Sequence, residues 1–270
     1  MTTPLNEITC FLLDMDGTFY LGDHLLPGAL DFLETLKAQS KKFIFLTNNS
    51  SKNPAQYVEK LAGLGIETTV AQVLTSGQAT AIYLEQEAPG AKVYLVGTPG
   101  LEDEFRSHGF ILTEDDPDYV VLGFDTTLTY EKLWKLCDFV RDGKPYIGTH
   151  PDNNCPTPTG FMPDIGAMMA LVEVSTGRRP DVIVGKPNKF IVESAAAKAG
   201  VTIAEVAMIG DRLYTDIALG STAGITTVLV LSGETKARDI SDSPHQPTYT
   251  FENIGEVSAW LKRNIRLGDE

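Results

Sequence analysis

The sequence predicts an α/β protein: a doubly wound parallel sheet interrupted by a second, inserted α/β domain. Three observations predict it. Apolar runs of strand length alternate with segments of helical spacing along the chain. Four of those runs end directly in clusters of Asp, Asn, Thr, Gly or Lys, and open parallel sheets bind their ligands beyond the carboxyl ends of the strands. More than 130 residues separate the second cluster from the third, too many for a loop and enough for a domain.

Residues 8–13 form the first predicted strand, which runs into Asp14, Met15, Asp16, Gly17 and Thr18. Side chains alternate along a strand, so a regular strand places Asp14 and Asp16 on one side. Two carboxylates repel there unless a cation lies between them or one keeps its proton. Both conditions suit phosphoryl transfer: one Asp attacks phosphorus, the other moves a proton, and Mg²⁺ screens the charge. A helix cap or Asx turn is the plainer reading of the same residues. Residues 29–37 have helical spacing, with Leu30, Leu33 and Leu36, or Phe32 and Leu36, along a face.

Residues 42–46 are the second strand, ending in Thr47, Asn48, Asn49 and Ser50. These small hydrogen-bonding residues can hold a phosphate, and the helix predicted for 54–64, stopped by Gly65, can add its N-terminal dipole. A polar loop fits them equally. Strands at 92–96, 119–123 and 146–149, with helices at 129–140 and 166–174, belong to the insertion, whose core is expected to hold Leu133, Trp134 and Leu136. Residues 181–184 then lead into Gly185, Lys186 and Pro187. A lysine before proline is kept out of the helical region and makes a fixed cation for a phosphate and an aspartate, although a solvated surface lysine is commoner. It is not a Walker lysine, because Pro187 stands where Ser or Thr is needed.

A helix follows at 188–199, ended by Gly200, and the strand 206–209 ends in Gly210, Asp211, Arg212, Leu213, Tyr214, Thr215 and Asp216. Two carboxylates five residues apart at a strand end are hard oxygen ligands of the kind Mg²⁺ prefers, and helix caps are the alternative. Residues 226–230 are a further strand, and 241–247 read as a surface loop.

These four polar segments, in this order and each after an apolar run, resemble the haloacid dehalogenase (HAD) superfamily. In detail they are similar to its class IIA NagD-like phosphatases, the branch that includes p-nitrophenyl phosphatases, pyridoxal phosphatase and phosphoglycolate phosphatase. The resemblance implies a HAD-like Rossmannoid core made of residues 1–80 and 183–270, with a large cap domain inserted at 81–182. It implies Mg²⁺-dependent hydrolysis of a small phosphate monoester (a sugar phosphate, a nucleotide monophosphate or a similar metabolite) through an aspartyl phosphate. Asp14 is then the nucleophile and Asp16 the acid and base. Thr47, Asn48, Asn49 and Lys186 hold the phosphoryl group. The metal is held by the Asp14 carboxylate, the Asp16 backbone carbonyl and Asp211, with Asp216 as their orienter.

Residues 149–161, rich in Pro and Asn, are the expected specificity segment of the insertion. His150 lies in it where many relatives carry Asn, and is expected either to contact a leaving group or to fix the loop by a hydrogen bond. His24, His108 and His245 have polar neighbours and read as surface residues.

Composition agrees with an enzyme of this class. A chain of 270 residues with 43% hydrophobic content fills a sizeable core and is near the size at which chains divide into domains. A net charge of −14, from 36 acidic and 22 basic residues, argues against nucleic acid or an anionic membrane as partner. It also requires positive charge to be concentrated wherever phosphate binds. The expected partner is a small phosphorylated metabolite, and the insertion is where a second copy would pair. Cys10, Cys137 and Cys155 are odd in number and scattered, which predicts free thiols in a reducing, cytoplasmic setting. No apolar run reaches membrane-helix length, and no basic-then-apolar leader is expected at the N-terminus. Two rivals share part of this pattern. A response-regulator receiver would lack both the insertion and a second Asp placed to remove the phosphate. A non-catalytic phosphometabolite-binding regulator would need none of the catalytic residue types present.

Overall fold

A computed structural model of the chain describes residues 2–157 and 159–264. The chain divides into two compact units, the first made of Met1–Leu46, Val58–Leu74 and Lys186–Glu270, the second of Thr47–Tyr57 and Thr75–Gly185.

The first unit is built on a six-stranded sheet in the order Tyr249–Phe251, Thr226–Val230, Val206–Gly210, Cys10–Leu13, Lys42–Thr47, Val73–Thr75. Cys10–Leu13 pairs in parallel with Val206–Gly210 on one side and with Lys42–Thr47 on the other. Each of its four residues is fully buried, as expected of a strand with helices on both faces of its sheet. Chain order reverses at this strand: later strands are added to either side of it. That makes its carboxyl end a topological switch point, where such sheets open a crevice.

The helix Ala29–Ala38 buries Ala29, Phe32, Thr35 and Leu36, so of the two predicted stripes the one through Phe32 and Leu36 faces the core and Leu30 is 44% exposed. The helix Lys189–Ala199 starts where Asn188 accepts from Phe190 N and ends at Gly200, φ 64°. Ile191, Val192, Ala195 and Ala196 are its buried face.

The second unit holds a five-stranded sheet in the order Val182–Ile183, Tyr146–Gly148, Tyr119–Leu122, Lys92–Val96, Ile111–Leu112, every pair parallel. Its core is formed by Tyr94, Val96, Val120, Leu122, Phe124, Leu136, Val140, Tyr146, Ile165 and Val172. Thr129 and Asp164 cap the helices Tyr130–Arg141 and Ile165–Thr176.

Three expectations are corrected here. The strand ahead of Lys186 is not part of the six-stranded sheet: Val182–Ile183 pairs with Tyr146–Gly148, and Val184 N donates to Gly148 O at 3.1 Å. Trp134 is 62% exposed rather than core, while Leu136 alone of its cluster is fully buried. The Pro- and Asn-rich segment after His150 is an antiparallel hairpin, Asn154–Thr157 with Gly160–Pro163, rather than an irregular loop. Pro156 and Pro163 sit in two short strands paired only with each other, where a missing N–H can face outward. All three cysteines are free thiols, and no helix among the described residues is long and apolar enough to cross a membrane.

Candidate active site

Asp14 leaves the sheet at the switch point. Its N–H still donates to Ile209 O at 2.9 Å, continuing the ladder, and the chain then turns. Met15 O accepts from Thr18, Phe19 and Tyr20 N–H groups, and Gly17 closes the turn at φ 85°. Such a φ favours glycine, which lacks the Cβ that makes it costly. The space requires glycine as well, since a Cβ on Gly17 would run into the Asp211 carboxylate. Gly17→Ala is therefore expected to lose at least about 1 kcal/mol of stability and to displace Asp211. Urea denaturation measures the first effect, and loss of divalent-cation binding measures the second.

The turn also corrects the pairing of Asp14 with Asp16. The strand ends at Leu13, so regular alternation does not continue and the two carboxylates separate. The Asp16 side chain is 45% exposed, 3.9 Å from Lys60 Nζ, and accepts from Tyr20 Oη at 3.5 Å. Lys60 in turn lies over the Tyr20 ring, 4.1 Å from its centre. Asp16 thus stands outside the carboxylate cluster, held in a more hydrated setting.

The cluster itself is Asp14, Asp211 and Asp216, which offer oxygens all within 4.8 Å of one another. Lys186 Nζ is inserted into it, 2.6 Å from Asp14 Oδ1, 2.7 Å from Asp216 Oδ1 and 3.3 Å from Leu46 O. Asp216 is brought back toward Asp211 by a π-helical turn, Leu213–Ile217, and its other oxygen accepts from Arg212 N at 3.1 Å. Such turns are frequent at functional sites. Asp211 Oδ2 accepts from Glu234 N at 2.7 Å, but its Oδ1 is buried without a hydrogen-bond partner. A buried carboxylate oxygen left orphaned costs free energy unless something else meets it.

Electrostatics agree. Burial pushes the Asp14 carboxyl well above the usual range; Lys186 opposes the rise, and Asp216 and Asp211 add to it. Burial, then Asp216, pushes Asp211 up to about 7. Burial alone would lower the Lys186 ammonium, but Asp14 and Asp216 reverse that and raise it above its ordinary range. Three carboxylates and one ammonium leave surplus negative charge in a buried place. With the orphaned Asp211 oxygen, this donor set fits a divalent cation bound by hard oxygen ligands.

The other predicted binding residues lie in the second unit. Thr47 Oγ1 accepts from Asn49 N at 3.1 Å, and Asn49 Oδ1 accepts from Ser51 N at 2.9 Å and Ser51 Oγ at 2.7 Å, a tight turn at the end of Lys42–Thr47. Asn48 is 5% exposed, and its Nδ2 donates to Asp152 Oδ1 at 3.1 Å. His150 is completely buried and both ring nitrogens are engaged. Asp14, Lys186, Asp211 and Asp216 belong to the first unit, and Asn48, Asn49 and His150 to the second.

Sequence reasoning missed residues 232–234. Ser232 Oγ donates to Gly17 O at 2.7 Å, Glu234 N holds Asp211, and a Cβ on Gly233 would strike the Asp211 carboxylate. Glu234 also pairs with Arg212 Nε at 3.0 Å. The available signal was a Ser-Gly pair directly beyond the strand Thr226–Val230, at the same edge of the sheet as the other motifs.

Comparison with known proteins follows the same lines. Residues 11–111 match the family model of haloacid dehalogenase-like hydrolases, and residues 183–257 match a second HAD-hydrolase-like model. An acid sugar phosphatase of Staphylococcus aureus (strain MRSA252) is 38% identical over 260 residues, 96% of this chain and 100% of that protein. Among solved structures, 4-nitrophenylphosphatase from Thermotoga maritima superposes with a TM-score of 0.92 at 50% identity, covering 94% of this chain and 98% of that one. NagD from E. coli K-12 gives a TM-score of 0.86 at 32% identity, covering 95% and 98%.

Proposed function

Because this chain belongs to the haloacid dehalogenase-like hydrolases and is a phosphatase of their NagD-like, class IIA branch, we propose that it hydrolyses small sugar phosphates and similar monoesters with Mg²⁺ as its metal. The observation that carries the catalytic reading is Asp14 at the switch point, its Oδ1 held by Lys186 2.6 Å away. The name of the staphylococcal relative favours sugar phosphates among the possible esters.

The reaction proceeds in two displacements. An Asp14 carboxylate oxygen attacks phosphorus and the bond from phosphorus to the ester oxygen breaks, while Asp16 gives its proton to the departing alkoxide. A water then attacks the aspartyl phosphate, Asp16 takes its proton, and Asp14 and inorganic phosphate are released. Lys186, Thr47, Asn48 and Asn49 hold the transferred group and offset its charge. The Asp14 and Asp211 carboxylates and the Asp16 backbone carbonyl would hold Mg²⁺, with Asp216 orienting Lys186 and the main chain at Arg212. Bound there, the metal supplies charge neutralisation of the phosphoryl oxygens. The exposure of Asp16 suits a proton carrier that exchanges with solvent. We assign discrimination between esters to the second unit. On its hairpin, Phe161 is 73% exposed and Met162 36%, apolar groups of the kind that read the non-phosphate part of a substrate. Three free thiols and no membrane helix among the described residues support placing the activity in the cytoplasm.

Hydrolysis of p-nitrophenyl phosphate and a panel of sugar phosphates, in EDTA and with Mg²⁺ restored, tests the proposal. Full turnover in excess chelator would overturn it. The same assay carries a pH prediction. The Asp211 carboxyl, raised to about 7 in the metal-free protein, keeps a proton below that pH that a metal has to displace. The Mg²⁺ concentration for half-activation is therefore expected to rise as pH falls below about 7, by up to about tenfold per unit for one proton displaced. A half-activation concentration constant from pH 8 to 5 contradicts the assignment of Asp211 as a ligand.

A further inference from the structure

Asn48 is held at its main chain by Ser76 and at its side chain by Asp152, within a buried network that includes His150, a residue the mechanism above does not use. His150 Nε2 is 3.0 Å from Asp164 Oδ1, and Nδ1 is 3.1 Å from Thr149 Oγ1 and 3.3 Å from Ser76 Oγ. Ser76 Oγ donates to the backbone oxygen of Asn48, and Asn48 Nδ2 donates to Asp152 Oδ1 at 3.1 Å. The two aspartates are themselves fixed. Asp164 Oδ1 accepts from Ile165 N at 2.7 Å at the start of the helix Ile165–Thr176, and Gly166 N donates to Asp152 O at 2.8 Å. All these residues belong to the second unit.

The available hydrogens give the network one direction. A carboxylate accepts, so in the neutral ring Nε2 carries the hydrogen and Nδ1 accepts. The single hydroxyl hydrogen of Ser76 goes to Asn48 O, so Thr149 supplies the hydrogen at Nδ1. Thr149 accepts in turn from Ser50 Oγ at 2.8 Å, which accepts from Phe124 N at 2.8 Å. Packing closes the remaining side, since a Cβ on Gly185 would lie 2.8 Å from both Asn48 Oδ1 and His150 Cβ. A network satisfied at every member rigidifies what it holds.

We propose that His150 is a positioning residue: its hydrogen bond to Asp164 holds the start of the helix Ile165–Thr176, whose Gly166 N holds Asp152, and Asp152 sets the aim of the Asn48 amide on the phosphoryl group. The proposal rests on the reading that Asn48 binds that group. A binding amide held within about half an ångström keeps its hydrogen bond, and a looser one does not.

A double-variant cycle tests it, with inorganic phosphate as the probe. Its affinity is measured by calorimetry in Mg²⁺ on the full chain, alongside kcat and KM for p-nitrophenyl phosphate. His150→Ala is expected to weaken phosphate binding about tenfold, the scale of one buried hydrogen bond, and to raise KM more than it lowers kcat. His150→Gln, whose amide nitrogen can still donate to Asp164, is expected to recover most of the loss. In an Asn48→Ala background, His150→Ala is expected to add less than about twofold, because its effect passes through Asn48. Additive losses, or wild-type phosphate affinity in His150→Ala, would overturn the proposal. Should His150→Ala not fold, Asp152→Ala cuts the same route at its last link. Unaltered phosphate affinity in Asp152→Ala would then overturn it. The wild-type chain separates the two levels: no hydrolysis of p-nitrophenyl phosphate refutes the phosphatase reading, whereas an active wild type with an additive cycle refutes the role of His150 alone.

Discussion

Asp14→Asn is expected to abolish turnover, by at least about 10⁴-fold, while the fold persists. Asparagine keeps the size of aspartate and keeps an oxygen that can accept from Lys186 Nζ, now 2.6 Å from Asp14 Oδ1. What it loses is the charged nucleophilic oxygen, and no neighbour can replace it. Asp211 and Asp216 are 2% and 0% exposed, one fixed by Glu234 N and the other by Lys186 and Arg212 N. Burial and the two neighbouring carboxylates already hold the Asp14 carboxyl above its ordinary range. Neutralising it relieves that repulsion while removing one counter-charge of Lys186, so the thermal midpoint is expected to move little. Rates on p-nitrophenyl phosphate and a thermal melt of the same sample check both halves. A folded variant with near wild-type turnover would falsify the assignment of Asp14.

Lys186→Met is expected to have the largest combined effect, on stability and on activity. The side chain is 3% exposed and lies between Asp14 and Asp216. Methionine fills similar volume but leaves three carboxylates within 4.8 Å of one another with no internal cation. Breaking a buried charge cluster by removing one partner costs about 3–5 kcal/mol, a large share of the stability of an ordinary domain. The pH dependence has a definite sign. Without Lys186, which lowers the Asp14 pKa, the Asp14 carboxyl in the folded protein sits still further above its unfolded value of 3.8. A carboxyl raised on folding stabilises as pH falls toward its unfolded value. The deficit of the variant is therefore expected to be greatest at high pH and to shrink as pH falls. Denaturant melts at several pH values measure it, and a deficit that grows on acidification contradicts the argument. Mg²⁺ is expected to recover part of the stability but little of the activity, because a phosphate-holding cation is missing.

Much of the architecture was legible in the chain because it depends on local pattern. Cys10–Leu13, Lys42–Thr47, Val206–Gly210 and Thr226–Val230 are fully apolar or nearly so, with polar residues at their carboxyl ends. Strands buried on both faces have that signature. Helix limits followed from Pro54, Asn188 and Gly200, residues whose backbone chemistry starts or stops helices wherever they occur. That the strand ahead of Lys186 belongs to the other sheet was not legible, because the three-residue apolar stretch 182–184 carries no information on which strand it pairs with. Its partner, Tyr146–Gly148, lies more than 30 residues earlier.

The sequence by itself determined the doubly wound fold class, the residue types of a phosphatase site and their order along the chain. Each of these is set by periodicity within a short segment or by the chemistry of one side chain. Tertiary structure alone decided which of those side chains meet. Asp16, two residues from Asp14, points elsewhere because the turn at Gly17 ends the alternation, whereas Lys186, 172 positions away, reaches 2.6 Å from Asp14. Tertiary structure also gave Asp211 its unpartnered oxygen, brought Gly233 against it, and buried His150 between Asp164 and Ser76. The physical reason is common to all of them. Propensity and patterning act over a few residues, while distance, desolvation and hydrogen-bond satisfaction at a buried site depend on residues that only the folded chain brings together.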